Sequence, residues 1–384
     1  MAPGELNGAR ILWLHEAATR IGVVKSIGPS GKPTKGHPLL LGSVVCLVLL
    51  GACRASVAEE PQPTSTPAAP SAAPSEPWPD GLSDAEARTL SSLELVDPYP
   101  LYTMHYFGPY GTETVDAISL GPHGSCSLFA ALGDHSARLY GRNFDWEYSP
   151  AVLLFTDPPD GYASVSMVDI AYLFGDLSGV ATLDERPLED RRRLLWTPHL
   201  PFDGMNEQGL VVGMASVPWS SPPRDPSLPT VDDIELMRWM LDRARTVDEA
   251  VDVLRGANIS WSGGVTIHYL IADASGKSAL VEYVQGKMVV LPATEPWHLA
   301  TNFYVSTASD GPVAPPGSCP RYDRLVSTLR RAGGVLQVDQ ALDLLHQVSN
   351  ERTQWSVIYD LSRHSVHVVM AGKFETVYTF EPGS

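Results

Sequence analysis

Apolar positions in this chain follow two periods, and each predicts a different element. Two apolar runs, Cys126 to Leu132 and Ala137 to Asn143, flank Gly133-Asp134-His135-Ser136, a cluster that favours a turn. They predict a β-hairpin centred between Asp134 and His135, with Asn143 opposite Cys126. Arg142 and Asp145 then lie within a residue or two of the thiol. The first strand is apolar on both faces, Leu128, Ala130 and Leu132 against Phe129 and Ala131, so the hairpin is expected to be covered on both sides.

Alternation also predicts strands at 114–120, 152–156, 162–168, 209–216, 265–273, 278–284, 354–360, 365–370 and 375–380. Helical spacing marks 82–93, which starts at Ser83-Asp84-Ala85-Glu86, and 232–245, with Ile234, Met237 and Leu241 on one face. Thr246-Val247-Asp248-Glu249 reads as a capping box opening another helix, and two more are expected at 321–331 and 338–348. Gly204 to Gly209 reads as a turn, with Asn206 structural. Strands, a helix pair, strands, a helix pair and strands imply an α+β fold, with helices packed on stacked antiparallel sheets.

Charge separates the N-terminus from the rest. Residues 1–53 carry a net +3, which leaves −20 for the remainder of a chain whose total is −17. An acidic body without a basic patch argues against nucleic acid as a partner. Leu39 to Ala52 is apolar, too short to span a bilayer but suited to an export signal, and it ends at Leu50-Gly51-Ala52-Cys53. That ending resembles the lipobox of bacterial lipoproteins, which implies lipidation at Cys53 and anchoring of an exported cell-envelope protein to the membrane. Residues 54–80, with seven prolines from Pro61 to Pro79, read as a disordered tether.

Of the four cysteines, Cys46 lies in the signal and Cys53 at the lipobox, leaving Cys126 and Cys319. These two are open to a disulfide or to a nucleophile and a bystander. No metal-ligand spacing or phosphate loop occurs, so no metal or cofactor is expected. Taken singly, Cys126 reads as a buried small hydrophobe, Arg142 and Asp145 as an ion pair, and Asn302 as the end of a strand.

The ordered motifs change that reading. Cys126 followed by Arg142-Asn143-Phe144-Asp145-Trp146 resembles the opening of the linear amide C–N hydrolases. These are the choloylglycine hydrolases, penicillin V acylases and penicillin-forming acyltransferases among the N-terminal nucleophile hydrolases. The resemblance continues through Pro201 to Leu210, His268 to Asp273, Thr301-Asn302-Phe303, Arg321 to Arg324 and Trp355 to Asp360. It implies a four-layer αββα sandwich and a self-processing amidase acting on a small N-acyl amide through a thioester at Cys126. Residues 1–53 would be signal, 54–80 tether, 81–125 a pro-segment or small chain, and 126–384 the catalytic domain. Cleavage between Ser125 and Cys126 would expose an α-amine, whose reference pKa of about 7.7–8.0 suits a base for its own thiol. By the same resemblance Asp145 would hold that amine and Arg142 would contact sulfur or substrate. Asn302 would donate to the oxyanion and Arg321 would organise the charged cluster. Bile-salt enzymes of the family place an oxyanion Asn where this chain reads Met214-Ala215-Ser216, which leaves the second donor open. An acyltransferase on the same scaffold and an inactive surface-binding lipoprotein are the alternatives.

Overall fold

The computed structural model describes residues 22–25, 81–110, 124–261, 264–307, 314 and 316–381. Cys53, the tether and the expected strand at 114–120 lie outside the described residues. In chain order the principal elements are β1 (Gly22–Lys25), α1 (Asp84–Ser91), β2 (Glu94–Asp97), β3 (Leu101–Tyr106), β4 (Ser125–Ala131), β5 (Leu139–Asp145), β6 (Ala151–Thr156) and β7 (Ser164–Asp169), after which short helical turns lie within 170–199. Next come β8 (Pro201–Asn206), β9 (Val211–Val217), β10 (Thr230–Asp232), α2 (Asp233–Arg243), α3 (Val247–Arg255), β11 (Asn258–Ser260), β12 (Thr266–Ala272) and β13 (Ser278–Val284). The chain continues with β14 (Lys287–Pro292), β15 (Trp297–Ala300), α4 (Ser318–Ala332), α5 (Val338–Gln347), β16 (Thr353–Asp360), β17 (Ser365–Met370) and β18 (Thr376–Phe380).

Two large sheets form. One has seven strands in the order β1-β18-β17-β16-β5-β4-β15, and the other nine, β14-β13-β12-β9-β8-β7-β6-β3-β2. The edge strand β1, paired with β18, falls inside the segment read from sequence as the leader. Period-2 alternation sorts the seven-stranded sheet into two faces. Leu128, Ala130, Tyr140, Phe144, Trp355 and Val357 belong to the core shared with the other sheet. Phe129, Ala131, Leu139 and Ile358 pack instead with Leu325, Leu329, Leu344 and Leu345 of α4 and α5. Helices α2 and α3 cover the nine-stranded sheet, where Leu241 closes on Gly204 so tightly that a Cβ there would sit 2.9 Å from it. The result is the expected αββα sandwich, and hydrogen bonds stitch its sheets together: Tyr140 Oη donates to the Leu270 carbonyl at 3.0 Å.

Three readings are corrected. The hairpin pairs Cys126 with Phe144 and Ser127 with Asn143, one residue away from the expected register. Its turn is centred on His135, because Asp134 accepts from the Ser136 N–H and hydroxyl, and the Gly133 N–H donates to Gly334 across the α4–α5 loop. The expected turn at Gly204 is instead strand β8 as far as Asn206, with the tight residue at Gly209 (φ 76°). Thr246 caps α3 as foreseen, but Glu249 accepts from the Arg245 N–H rather than from the cap residue's own, so the box is half formed.

Candidate active site

Cys126 lies at the start of β4, 3% exposed, and the hairpin register decides what surrounds it. Arg142, opposite Leu128, shares the inter-sheet face with the thiol, and its Nη2 lies 3.8 Å from Sγ. Asp145 pairs with Ser125 and therefore projects from the other face, toward α4. Arg142 and Asp145 are thus not partners of each other. Arg142 bonds Asp203 and donates to the Phe202 carbonyl at 2.9 Å. Asp203 also accepts from Tyr359 Oη at 2.5 Å and Trp355 Nε1 at 3.3 Å.

On the helix side, Arg321 is carried by the first turn of α4. It bonds the Cys126 carbonyl and donates to Ser127 Oγ, Ser125 Oγ (both 2.7 Å) and Asn302 Oδ1 (2.9 Å). Asp145 lies 4.0 Å from it and accepts from Thr353 Oγ1 at 2.6 Å and Asn350 Nδ2 at 2.7 Å. Asn302 accepts the Cys126 N–H at 2.8 Å, and its Nδ2 donates to the carbonyl and hydroxyl of Ser216 at 2.9 and 3.1 Å. With two donors on Oδ1, the amide orientation is fixed. Behind Asn302, the buried His268 ring meets the Thr301 carbonyl at 2.8 Å and Glu282 at 3.4 Å. Asn206 is structural: Nδ2 donates to Leu241 and Ala244 carbonyls at the end of α2.

Electrostatics place the thiol between opposed effects. Burial pushes Cys126 up, Arg142 pulls it down and Asp145 raises it again, with a net rise. Burial likewise raises Asp145 against the Thr353 bond and lowers Arg321. Arg142, despite its burial, is held charged and above its ordinary value by Asp203. The sulfur thus sits beside a fixed cation, while burial favours its protonated form.

The thiol opens on a narrow cleft lined by Phe144, Trp146, Tyr172, Phe202, Met214 and Ile234, with Ser216 and Asp233 as its polar members beside Arg142. Such a lining suits an apolar acyl or amine group. Cys319, at the first turn of α4, forms no disulfide with Cys126. Among the described residues no cluster fit to hold a metal occurs. The five residues proposed for chemistry from sequence (Cys126, Arg142, Asp145, Asn302 and Arg321) lie in one connected network. Asp203 and Ser216 belong to it and were not singled out. The signal for Asp203 was its place in the Pro201 to Leu210 motif.

Residues 192–302 match the model of the linear amide C–N hydrolases, choloylglycine hydrolase family. The likeness is thus to hydrolases of linear amide C–N bonds. A penicillin V acylase from Pectobacterium atrosepticum is 26% identical over 212 residues, half of this chain, and the chain spans 52% of that relative's length. Among solved structures, a conjugated bile acid hydrolase from Clostridium perfringens aligns with a TM-score of 0.48 at 18% identity, covering 64% of this chain and 89% of that one. A penicillin V acylase from Agrobacterium tumefaciens gives 0.44 at 20%, covering 64% and 83%.

Proposed function

We propose that this protein is a self-processing cysteine amidase that hydrolyses the linear amide bond of an N-acyl compound through a thioester at Cys126. The observation that carries the reading is the convergence on one buried cysteine of Arg142 at its sulfur, Asn302 at its N–H and Arg321 at its carbonyl. Breaking the Ser125–Cys126 bond turns that N–H into an α-amine able to take the thiol proton and later return one to the departing amine. Arg142 keeps a positive charge beside the resulting thiolate, while Arg321 holds the Cys126 carbonyl and has Asp145 4.0 Å behind it. Asn302, whose Oδ1 accepts the N–H of Cys126, would turn its Nδ2 donor to the developing oxyanion. The aromatic cleft would take the apolar half of the substrate. An exported, lipid-anchored location through Cys53 completes the proposal and rests on the sequence alone.

The test compares wild type with Cys126→Ala on N-acyl amino acids, penicillin V, bile-salt conjugates and N-acyl homoserine lactones. Wild type should hydrolyse at least one of them and the variant none, since alanine has no nucleophile. Equal rates in the two proteins would remove Cys126 from the chemistry.

A further inference from the structure

The apolar wall of the cleft beside Cys126 contains an acid that the proposed chemistry leaves unused. Asp233 is the first residue of α2 and only 4% exposed, yet it lines the cleft with Tyr172, Phe202 and Ile234. The helix does not need it as a cap, because Asp232 is the cap and its Oδ1 accepts the Ile234 N–H at 2.9 Å. Tyr269 Oη, on β12, donates to the Asp233 carbonyl at 2.7 Å and fixes the backbone there. An acid in the first turn suits the helix dipole, but that interaction is available at the surface and gives no reason for burial among aromatic rings. Arg142, the cation on the same wall, is paired with Asp203 rather than with Asp233. Asp232 and the N–H groups of residues 233 and 234 stand beside the carboxyl, while Oδ1 itself has no hydrogen-bond partner. Burial and the charge of Asp232 push the carboxyl well above the ordinary carboxylate range, which leaves Oδ1 as an uncharged acceptor on the cleft wall.

A buried acceptor is costly unless something donates to it. Two other polar atoms of the cleft residues, Arg142 Nε and Trp146 Nε1, are also buried without partners. Those are donors, and the carbonyl of any N-acyl amide can answer them. Asp233 requires the opposite, an O–H or N–H on the group that fills the cleft. We infer that Asp233 is a specificity residue, and that the enzyme prefers N-acyl amides whose cleft-bound group carries a hydroxyl or a similar hydrogen-bond donor over otherwise identical apolar ones. The inference rests on the amidase reading and names its substrate class. A donor-free group closes the cleft over Oδ1 and leaves it with neither water nor partner. Discrimination comes from the cost of that lone acceptor, so removing the acceptor removes the discrimination.

Matched substrate pairs test this: N-acyl homoserine lactones with and without a 3-hydroxyl, bile-salt conjugates differing by one hydroxyl, and phenoxyacetyl against 4-hydroxyphenoxyacetyl amides. Each pair is run on a single preparation of full-length wild type, Asp233→Ala, Asp233→Leu and Asp233→Asn. The ratio of kcat/KM within a pair is then independent of how much protein is folded or cleaved. Wild type should favour the hydroxylated member of at least one pair by roughly 10–100-fold, the scale for one buried acceptor left unsatisfied. Asp233→Ala should bring that ratio to within about threefold of one. Asp233→Leu, which also lacks the acceptor and suits an apolar wall, gives the same reading if alanine does not fold. Asp233→Asn, which keeps Oδ1 and can donate to Asp232 through Nδ2, should retain most of the wild-type ratio. An active wild type with no preference for the hydroxyl in any pair, an alanine or leucine variant that keeps the preference, or an asparagine variant that loses it would each overturn the assignment. So would an alanine variant slowed equally on both members, the result for an acceptor of the scissile N–H or for a purely structural residue. Wild type inactive on every pair counts against the amidase reading itself, and the role of Asp233 falls with it.

Discussion

Asp203 is the residue on which the position of Arg142 depends. Both are fully buried, and the guanidinium lies 4.9 Å from the Phe144 ring centroid and 6.0 Å from that of Trp355. Water cannot replace the carboxylate there, so removing its charge leaves an uncompensated cation in the core. Asp203→Asn should therefore lower the free energy of unfolding by roughly 3–5 kcal/mol, read from urea denaturation. A loss below about 1 kcal/mol would mean that Arg142 finds another anion, and the Asp203 pair would not be what positions it. Cys126, Arg142, Asn302 and Arg321 were legible in the sequence because each stands in a short motif of recognisable type. Asp203 stands in such a motif too, Pro201 to Leu210, but its role and that of Ser216 did not show, because what they do is set by partners 61 and 92 residues away. Hydrogen-bond geometry between strands of different sheets leaves no local trace.

At the scale of elements, strand and helix identities followed from periodicity, while registers and short strands did not. A turn longer by one residue was enough to move Asn143 off Cys126, since residues opposite one another share a face and the neighbouring pair takes the other. Strand β8 escaped because Pro201, Gly204 and Asn206 are turn formers. Proline is tolerated at its first position, and Gly204 is required by the close approach of α2. The end of β7 carries a testable consequence of burial. Asp169 is fully buried, Oδ1 accepts the Ala171 N–H at 2.9 Å, and the Ser149 hydroxyl stands beside the carboxyl. Burial pushes its carboxyl up to about 7 from an ordinary 3.8. Between those values the folded state keeps a proton that the unfolded state has lost, so stability falls as pH rises through the interval and levels off above it. Asp169→Asn retains the acceptor and cannot ionise. Its stability relative to wild type should improve by roughly 3 kcal/mol between pH 5 and pH 8. Urea denaturation at the two pH values reads the difference, and a gap that does not change with pH would show that Asp169 ionises freely in the fold.

For the molecule as a whole, the four-layer order was legible because helix pairs alternate with strand groups, but the sheet order was not. β4 and β5 pair outward with β15 and β16, which lie more than a hundred residues on, and no pattern within one strand names its neighbour. The order bears directly on what cleavage before Cys126 would leave. The piece ending at Ser125 is no loose leader, because it contains α1, β2 and β3. β3 runs parallel to β6 from Leu101↔Ala151 to Tyr106↔Thr156, with Leu101, Tyr102 and Met104 fully buried. Tyr102 Oη also donates to the Val180 carbonyl at 2.7 Å. Burying several large side chains at about 1.5–3 kcal/mol each holds such a strand without a covalent link. Purified enzyme should therefore elute as one species under native conditions and yield two chains under denaturing mass analysis, the larger beginning at Cys126 on N-terminal sequencing. Cys126→Ala should give a single chain. An active wild type that stays in one piece would exclude the α-amine as base, and the protonated, buried thiol would then need a different proton acceptor.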